Sequence, residues 1–188
     1  MSDQQSLRTL LLARSVRHGD FVLASGLRSS YYIDARPSTM SAEGQALIGR
    51  LGLAVIRARG WEPTAVGGLT MGADPVAYAI AGASVVHPPT VDAFTVRKEP
   101  KDHGTGRQIE GNFAAGASVV VVEDVLTSGG SALRAVEAVR QARGVVLGVL
   151  VVVDREQGGA QRLLAAGLEV VSLTTTTELG LGGPPVEA

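Results

Sequence analysis

The chain has 188 residues, 45% of them apolar and 19% charged, with 24 glycines, a length and composition that suit one folded domain with a real core and exclude a disordered chain. Seventeen basic against eighteen acidic side chains leave a formal charge of −1, which excludes a general pull toward nucleic acid or a membrane surface and confines any anion site to a local cluster. With no cysteine, disulfides and thiolate metal sites are excluded, and with 4% aromatics the packing falls to valine, leucine and alanine.

Residues 1–17 carry Asp3 and no long apolar run. Neither a signal peptide nor a membrane span is expected there, and a cytoplasmic location is the default. Leu7, Leu10, Leu11, Ala13 and Val16 recur at helical spacing, which predicts a helix over 6–16 ended near Gly19. Two short extended pieces follow, 21–23 and 31–34, separated by the turn signal Ser25-Gly26. Ser41 is a fitting N-cap for a helix through Ala58, with Leu47, Leu51, Ala54, Val55 and Ala58 on one face and Gly60 as its stop.

From there strand and helix alternate through 65–69, 75–81, 93–96, 118–122, 131–142, 145–153, 161–166 and 168–173. The strands at 119–122 and 149–153 are apolar on both faces, as strands are when helices cover a parallel sheet on both sides. The fold expected is a doubly wound α/β domain with a mostly parallel sheet. Residues 180–188 read as a loose tail. In such sheets ligands bind at the carboxyl ends of the strands.

Residues 119–131 place a run of valines, then Glu123 and Asp124, then Val125 and Leu126, then Thr127, Ser128, Gly129, Gly130 and Ser131. Glycines let the backbone close around an anion, the hydroxyls add donors, and the helix that follows aims its positive end at the same point. The nucleoside-triphosphatase and dinucleotide glycine patterns are absent from this loop, so a monophosphate fits it better. Just upstream, the two carboxylates suit vicinal sugar hydroxyls and a sugar carbon that develops positive charge. The implied ligand is a ribose 5-phosphate group, and an ordinary acidic strand end with a glycine turn is the plain alternative. The segment resembles the phosphoribosyl pyrophosphate (PRPP) signature of the type I phosphoribosyltransferases.

A second segment, 96–107, concentrates Arg97, Lys98, Lys101, His103 and Arg107 among Pro100, Gly104 and Gly106. Alone it reads as a solvated charged loop; beside a phosphate site it reads as a mobile cover for pyrophosphate, with His103 able to exchange a proton near neutral pH. The order Arg-Lys-Glu-x-Lys-x-His-Gly resembles the catalytic loop of the orotate phosphoribosyltransferases. That resemblance implies that Arg97, Lys98, Lys101 and His103 contact pyrophosphate and that Lys101, His103 and Asp124 are catalytic. It also implies PRPP contacts along 123–131, magnesium bound mostly through the substrate, and a homodimer whose loop reaches the partner's site.

Arg155 follows the apolar strand 149–153 and can present a guanidinium fork to a carboxylate, though an arginine after a strand is by default a surface residue. The resemblance gives orotate contacts to Tyr32, Thr127 and Arg155, with Tyr32 stacking on the base beneath an N-terminal hood of about residues 1–38; Tyr31 and Tyr32 also suit the core of an edge strand. The turn 67–75 resembles the family's pyrophosphate-holding loop. Ala24 and Met71 stand where some members carry lysine, which leaves those contacts to Arg28 or to backbone groups. Two rivals share the donor site: a purine phosphoribosyltransferase, and a non-catalytic PRPP-sensing regulator, against which Lys101, His103 and the lack of an added DNA-binding segment argue.

Overall fold

The computed structural model describes residues 1–22, 28–99 and 108–182. A helix α1 (Asp3–Arg14) leads into an antiparallel hairpin of β1 (Val16–Val22) and β2 (Arg28–Ile33). A short helix α2 (Arg36–Thr39) and a long α3 (Ala42–Ala58) follow. Then come β3 (Ala65–Leu69), α4 (Ala73–Val86), β4 (Asp92–Val96), β5 (Ile109–Gly111), β6 (Ser118–Leu126), α5 (Gly130–Gln141), β7 (Val145–Asp154), α6 (Gly159–Ala165) and β8 (Val170–Thr175).

The main sheet has the order β5-β4-β3-β6-β7-β8, with β5 antiparallel to β4 and every other pairing parallel. The doubly wound α/β expectation holds. Side-chain alternation along β6 sorts its valines by face: Val120 and Val122 join the core under α1, α3 and α4, whereas Val119 and Val121 join the one under α5 and α6. All four are fully buried, which is why the run carries no polar residue. The chain winds outward from β3 to β5, then returns to β6 and winds the other way. The order therefore reverses between β3 and β6, and a crevice opens at their carboxyl ends.

Local rules explain several boundaries. Ser2 and Gln5 form a reciprocal capping box on α1. Ser41 accepts from the Gly44 N–H at 3.0 Å, as expected of the N-cap of α3. The first helix ends earlier than its apolar spacing suggests, because Val16 pairs with Ile33 and joins the hairpin instead. Strand β5 has three residues and exists only through its pairing with β4. At the other end Leu179 and Leu181 are buried in the α3 and α4 core, so packed chain extends beyond Gly180.

Candidate active site

At the crevice between β3 and β6 lies a cleft of about 1320 Å³. Its walls come from the hairpin, through Arg17, Phe21 and Tyr32; from Asp34 to Arg36 after it; from the β3–α4 turn, through Thr70, Met71 and Gly72; from Lys98; from the end of β6 with its loop; and from Arg155 to Gln157 after β7.

Strand β6 runs further than its sequence suggests. Glu123 and Asp124 lie within it, because β7 continues alongside and pairs Glu123 with Val151 and Leu126 with Asp154. Asp124 faces Gly72 at the start of α4, where even a Cβ on that glycine would come within 2.4 Å of the Asp124 Oδ1. Glu123 turns toward the loop that follows, is 6% exposed, and its Oε2 has no hydrogen-bond partner. Burial, reinforced by the neighbouring Asp124 charge, pushes the Glu123 carboxyl up to about 9. Burial also raises Asp124, partly offset by the hydrogen bond that its carboxylate accepts from the Val125 N–H. Burial and the neighbouring charge both favour the protonated form of Glu123 at neutral pH, in which the carboxyl can donate a hydrogen bond.

Thr127, Ser128, Gly129, Gly130 and Ser131 enclose a small cavity of about 60 Å³ that Glu123, Val125 and Leu126 close from behind. Gly129 has φ +77°, a left-handed conformation that a side chain resists, and it turns the chain so that α5 begins pointing at the cavity. The first-turn N–H groups of α5 lack intrahelical acceptors and face that space. The Leu126 side chain is in the core, so that residue meets the cavity with its backbone.

Arg155 is not a surface residue. It is 6% exposed, its guanidinium lies 5.5 Å from the centre of the Tyr31 ring, and its Nε and Nη2 are buried without acceptors. The buried Nε2 of Gln157 also lacks a partner. Unpaired buried donors cost about 1–3 kcal/mol each, and a guanidinium fork of this kind has the geometry to take a planar carboxylate in bidentate fashion. Tyr31 belongs to the core beneath Arg155, whereas Tyr32 is 41% exposed on the cleft wall, with its ring 5.8 Å from that of Phe21. Of the two tyrosines that sequence left open to an edge-strand core, the structure buries Tyr31 and leaves Tyr32 on the cleft wall.

Of the basic segment, Lys98 lines the cleft and Arg97 pairs outside it with Glu110 at 3.8 Å. Lys101 and His103 lie outside the described residues, as does Ala24. Arg28, the candidate to stand in for the missing lysines, pairs with Asp20 at 3.1 Å on the exposed hairpin and sits opposite Val22, which lines the cleft. Sequence reasoning missed Arg17, Gln157 and the Asp34–Arg36 pair, all on the cleft wall. No motif marks them; only the pairing of β1 with β2, which sets Arg17 opposite Tyr32, brings the first into the site.

A switch-point cleft that joins an acidic strand end to a phosphate-sized loop defines a phosphoribosyltransferase, and the family model of the phosphoribosyl transferase domain matches residues 42–164. Two curated relatives are orotate phosphoribosyltransferases: one from Mycobacterium avium, 48% identical over 180 residues that cover 95% of this chain and 97% of its own, and one from Rhodopirellula baltica, 44% identical over 183 residues and 95% of each. A crystal structure of the Mycobacterium tuberculosis orotate phosphoribosyltransferase in complex with PRPP superposes with a TM-score of 0.80 at 42% identity, covering 96% of this chain and all of that one. The chain belongs to the orotate phosphoribosyltransferase family.

Proposed function

We propose that the protein transfers the phosphoribosyl group of PRPP to orotate, a pentosyl transfer that gives orotidine 5′-phosphate and pyrophosphate for pyrimidine biosynthesis. The orotate nitrogen attacks the anomeric carbon, the bond from that carbon to pyrophosphate breaks, and the configuration inverts. The observation that carries the acceptor is Arg155, a buried guanidinium with two unpaired nitrogens on the cleft wall. A purine base offers no carboxylate to satisfy it.

The 127–131 loop holds the 5-phosphate and protonated Glu123 donates to the phosphate or the sugar. Asp124 faces the sugar hydroxyls and stabilises positive charge on the ring as the leaving group departs. Tyr32 covers the base and Thr127 borders it. Lys98, with Arg97, Lys101 and His103, neutralises the pyrophosphate, and Lys101 and His103 assist its departure. Catalysis is positioning and electrostatics without a covalent enzyme intermediate.

Magnesium is the cofactor in this reading, and the donor set suits an ion carried in by substrate oxygens and water. Among the described residues no group of three or more His, Cys, Asp or Glu side chains converges as a protein cage would. Asp124 is the carboxylate at the sugar end that would hold it, and when bound the ion supplies neutralising charge at the pyrophosphate. The active unit in this reading is a homodimer with shared sites. Tyr78 and Val85, one face of α4 at seven-residue spacing, are 55% and 70% exposed and suit burial against a second copy. Cytoplasmic location is likewise proposed; among the described residues no helix is long and apolar enough to cross a membrane.

The test is an absorbance assay of orotate consumption with PRPP and magnesium, beside hypoxanthine and adenine. Turnover of orotate alone supports the reading. Turnover of a purine without orotate overturns the acceptor while sparing the donor.

A further inference from the structure

We propose that Asp74 is a positioning residue that locks the turn after β3 into a rigid pyrophosphate cradle, an inference that rests on reading this cleft as the PRPP site. Thr70, Met71 and Gly72 bridge β3 and α4 and line the cleft. Behind them, Asp74 accepts a hydrogen bond from the Thr70 hydroxyl on Oδ2 at 2.7 Å and one from the Thr95 hydroxyl on Oδ1 at 2.8 Å. One half-buried carboxylate therefore closes the tip of the turn onto itself and ties it to β4. A backbone bond from the Thr70 N–H to the Val96 carbonyl at 2.8 Å reinforces the tie. Asp74 stands in the first turn of α4, where the helix terminus favours a carboxylate.

The chemistry of the tip makes that lock consequential. At its apex is Met71, 58% exposed, so the turn brings no cationic side chain to an anion. It offers backbone N–H groups, because the one hydroxyl of the turn, that of Thr70, is already donated to Asp74. A lysine can follow a ligand that shifts, whereas backbone donors attract an anion only when they are already held in place. The same turn bears on the sugar end of the cleft, because Gly72 packs against the Asp124 carboxylate with no room for a Cβ. Thr95 lies on the strand that runs on to Lys98, so Asp74 joins the turn to the root of the basic segment as well.

The experiment compares Asp74→Ala, Asp74→Asn, Thr95→Val and Thr95→Ser, measuring inhibition by pyrophosphate, binding of ribose 5-phosphate by calorimetry, and melting temperature. Asp74→Ala is expected to weaken pyrophosphate and raise the KM for PRPP by about tenfold, with ribose 5-phosphate binding kept within about twofold. Asp74→Asn, which keeps one acceptor oxygen, and Thr95→Val should fall between, and Thr95→Ser, which keeps the hydroxyl, should match the wild type. Unchanged pyrophosphate inhibition in Asp74→Ala and Thr95→Val, or a parallel loss of ribose 5-phosphate binding, overturns the proposal. If Asp74→Ala fails to fold, the Thr95 pair decides by the same criteria. A wild-type protein that binds neither pyrophosphate nor PRPP would instead remove the reading of the cleft itself.

Discussion

Replacing Glu123 with glutamine tests the electrostatics of the site through stability alone. In the unfolded chain the glutamate titrates near its ordinary 4.5; in the folded protein burial and then Asp124 push it to about 9. Folding above pH 4.5 therefore requires uptake of a proton, and this group's contribution to stability falls as pH rises, steadily up to about 9 and no further beyond it. Each unit corresponds to about 1.4 kcal/mol. At pH 7, two and a half units above the unfolded value, the burden reaches roughly 3 kcal/mol, a large share of a domain's total stability. Glutamine has the same shape and no proton to gain. Glu123→Gln is expected to match the wild type near pH 4.5 and to become progressively more stable than it toward pH 8, measured by urea denaturation of the two proteins in parallel buffers. Titrating groups remote from Glu123 are common to both and cancel in the difference, which leaves Glu123 and its coupled neighbour Asp124. Stability curves that stay parallel from pH 5 to 8 would refute the reasoning, because they would mean that Glu123 ionises as readily in the fold as outside it.

Arg155→Ala should lower kcat/KM for orotate by about 100-fold or more while leaving PRPP binding within about twofold, and Arg155→Lys should not restore it, since an ammonium lacks the fork; equal losses for both substrates in steady-state kinetics would count against an acceptor role. Gly72→Ala puts a methyl group 2.4 Å from the Asp124 Oδ1, and displacement of that carboxylate should cost about tenfold or more in kcat with a smaller effect on orotate affinity. Arg134 on α5 donates to the Lys98 carbonyl at 2.8 Å and so ties the phosphate-loop helix to the root of the basic segment. Arg134→Ala should reduce kcat several-fold, since the bond is exposed and a typical net hydrogen bond is worth about 0.5–1.5 kcal/mol; an unaltered kcat removes the tie from the mechanism.

The parallel sheet was legible because strands apolar on both faces have few other places to go: Val119 to Val122 could be read as buried before their two faces were known. The acidic pair and phosphate loop were legible for the same local reason, since a glycine turn entering a helix carries its chemistry within a dozen residues. What failed was non-local. Val16 has the spacing of a helical residue and the partner of a strand residue, and the partner, Ile33, decides. Glu123 and Asp124 read as the end of a strand because carboxylates are poor strand residues, but β7 runs alongside and holds them in the ladder. Arg155 was legible as a guanidinium at the carboxyl end of a buried strand, while its burial, the reverse of the surface default, depends on Tyr31 arriving from the hairpin.

In the proposed reaction, Arg155 and Glu123 give one cleft the means to separate two substrates. Both are ionisable groups taken out of water at the carboxyl end of the sheet, each 6% exposed and each with a buried polar atom that no protein group satisfies. A carboxyl settles such burial by keeping a proton, and Glu123 does so beside the loop where the donor's phosphate belongs, which removes a like charge from that end. A guanidinium settles it by meeting an anion, and Arg155 awaits one on the wall nearest the hood. In that reading the donor end is made tolerant of negative charge by a residue that gives its own up, and the acceptor end is made selective for it by a residue that keeps its own. Glu123→Gln and Arg155→Ala should therefore act on different substrates, and their effects on PRPP and orotate binding should add in the double variant, because the two groups answer to separate ligands.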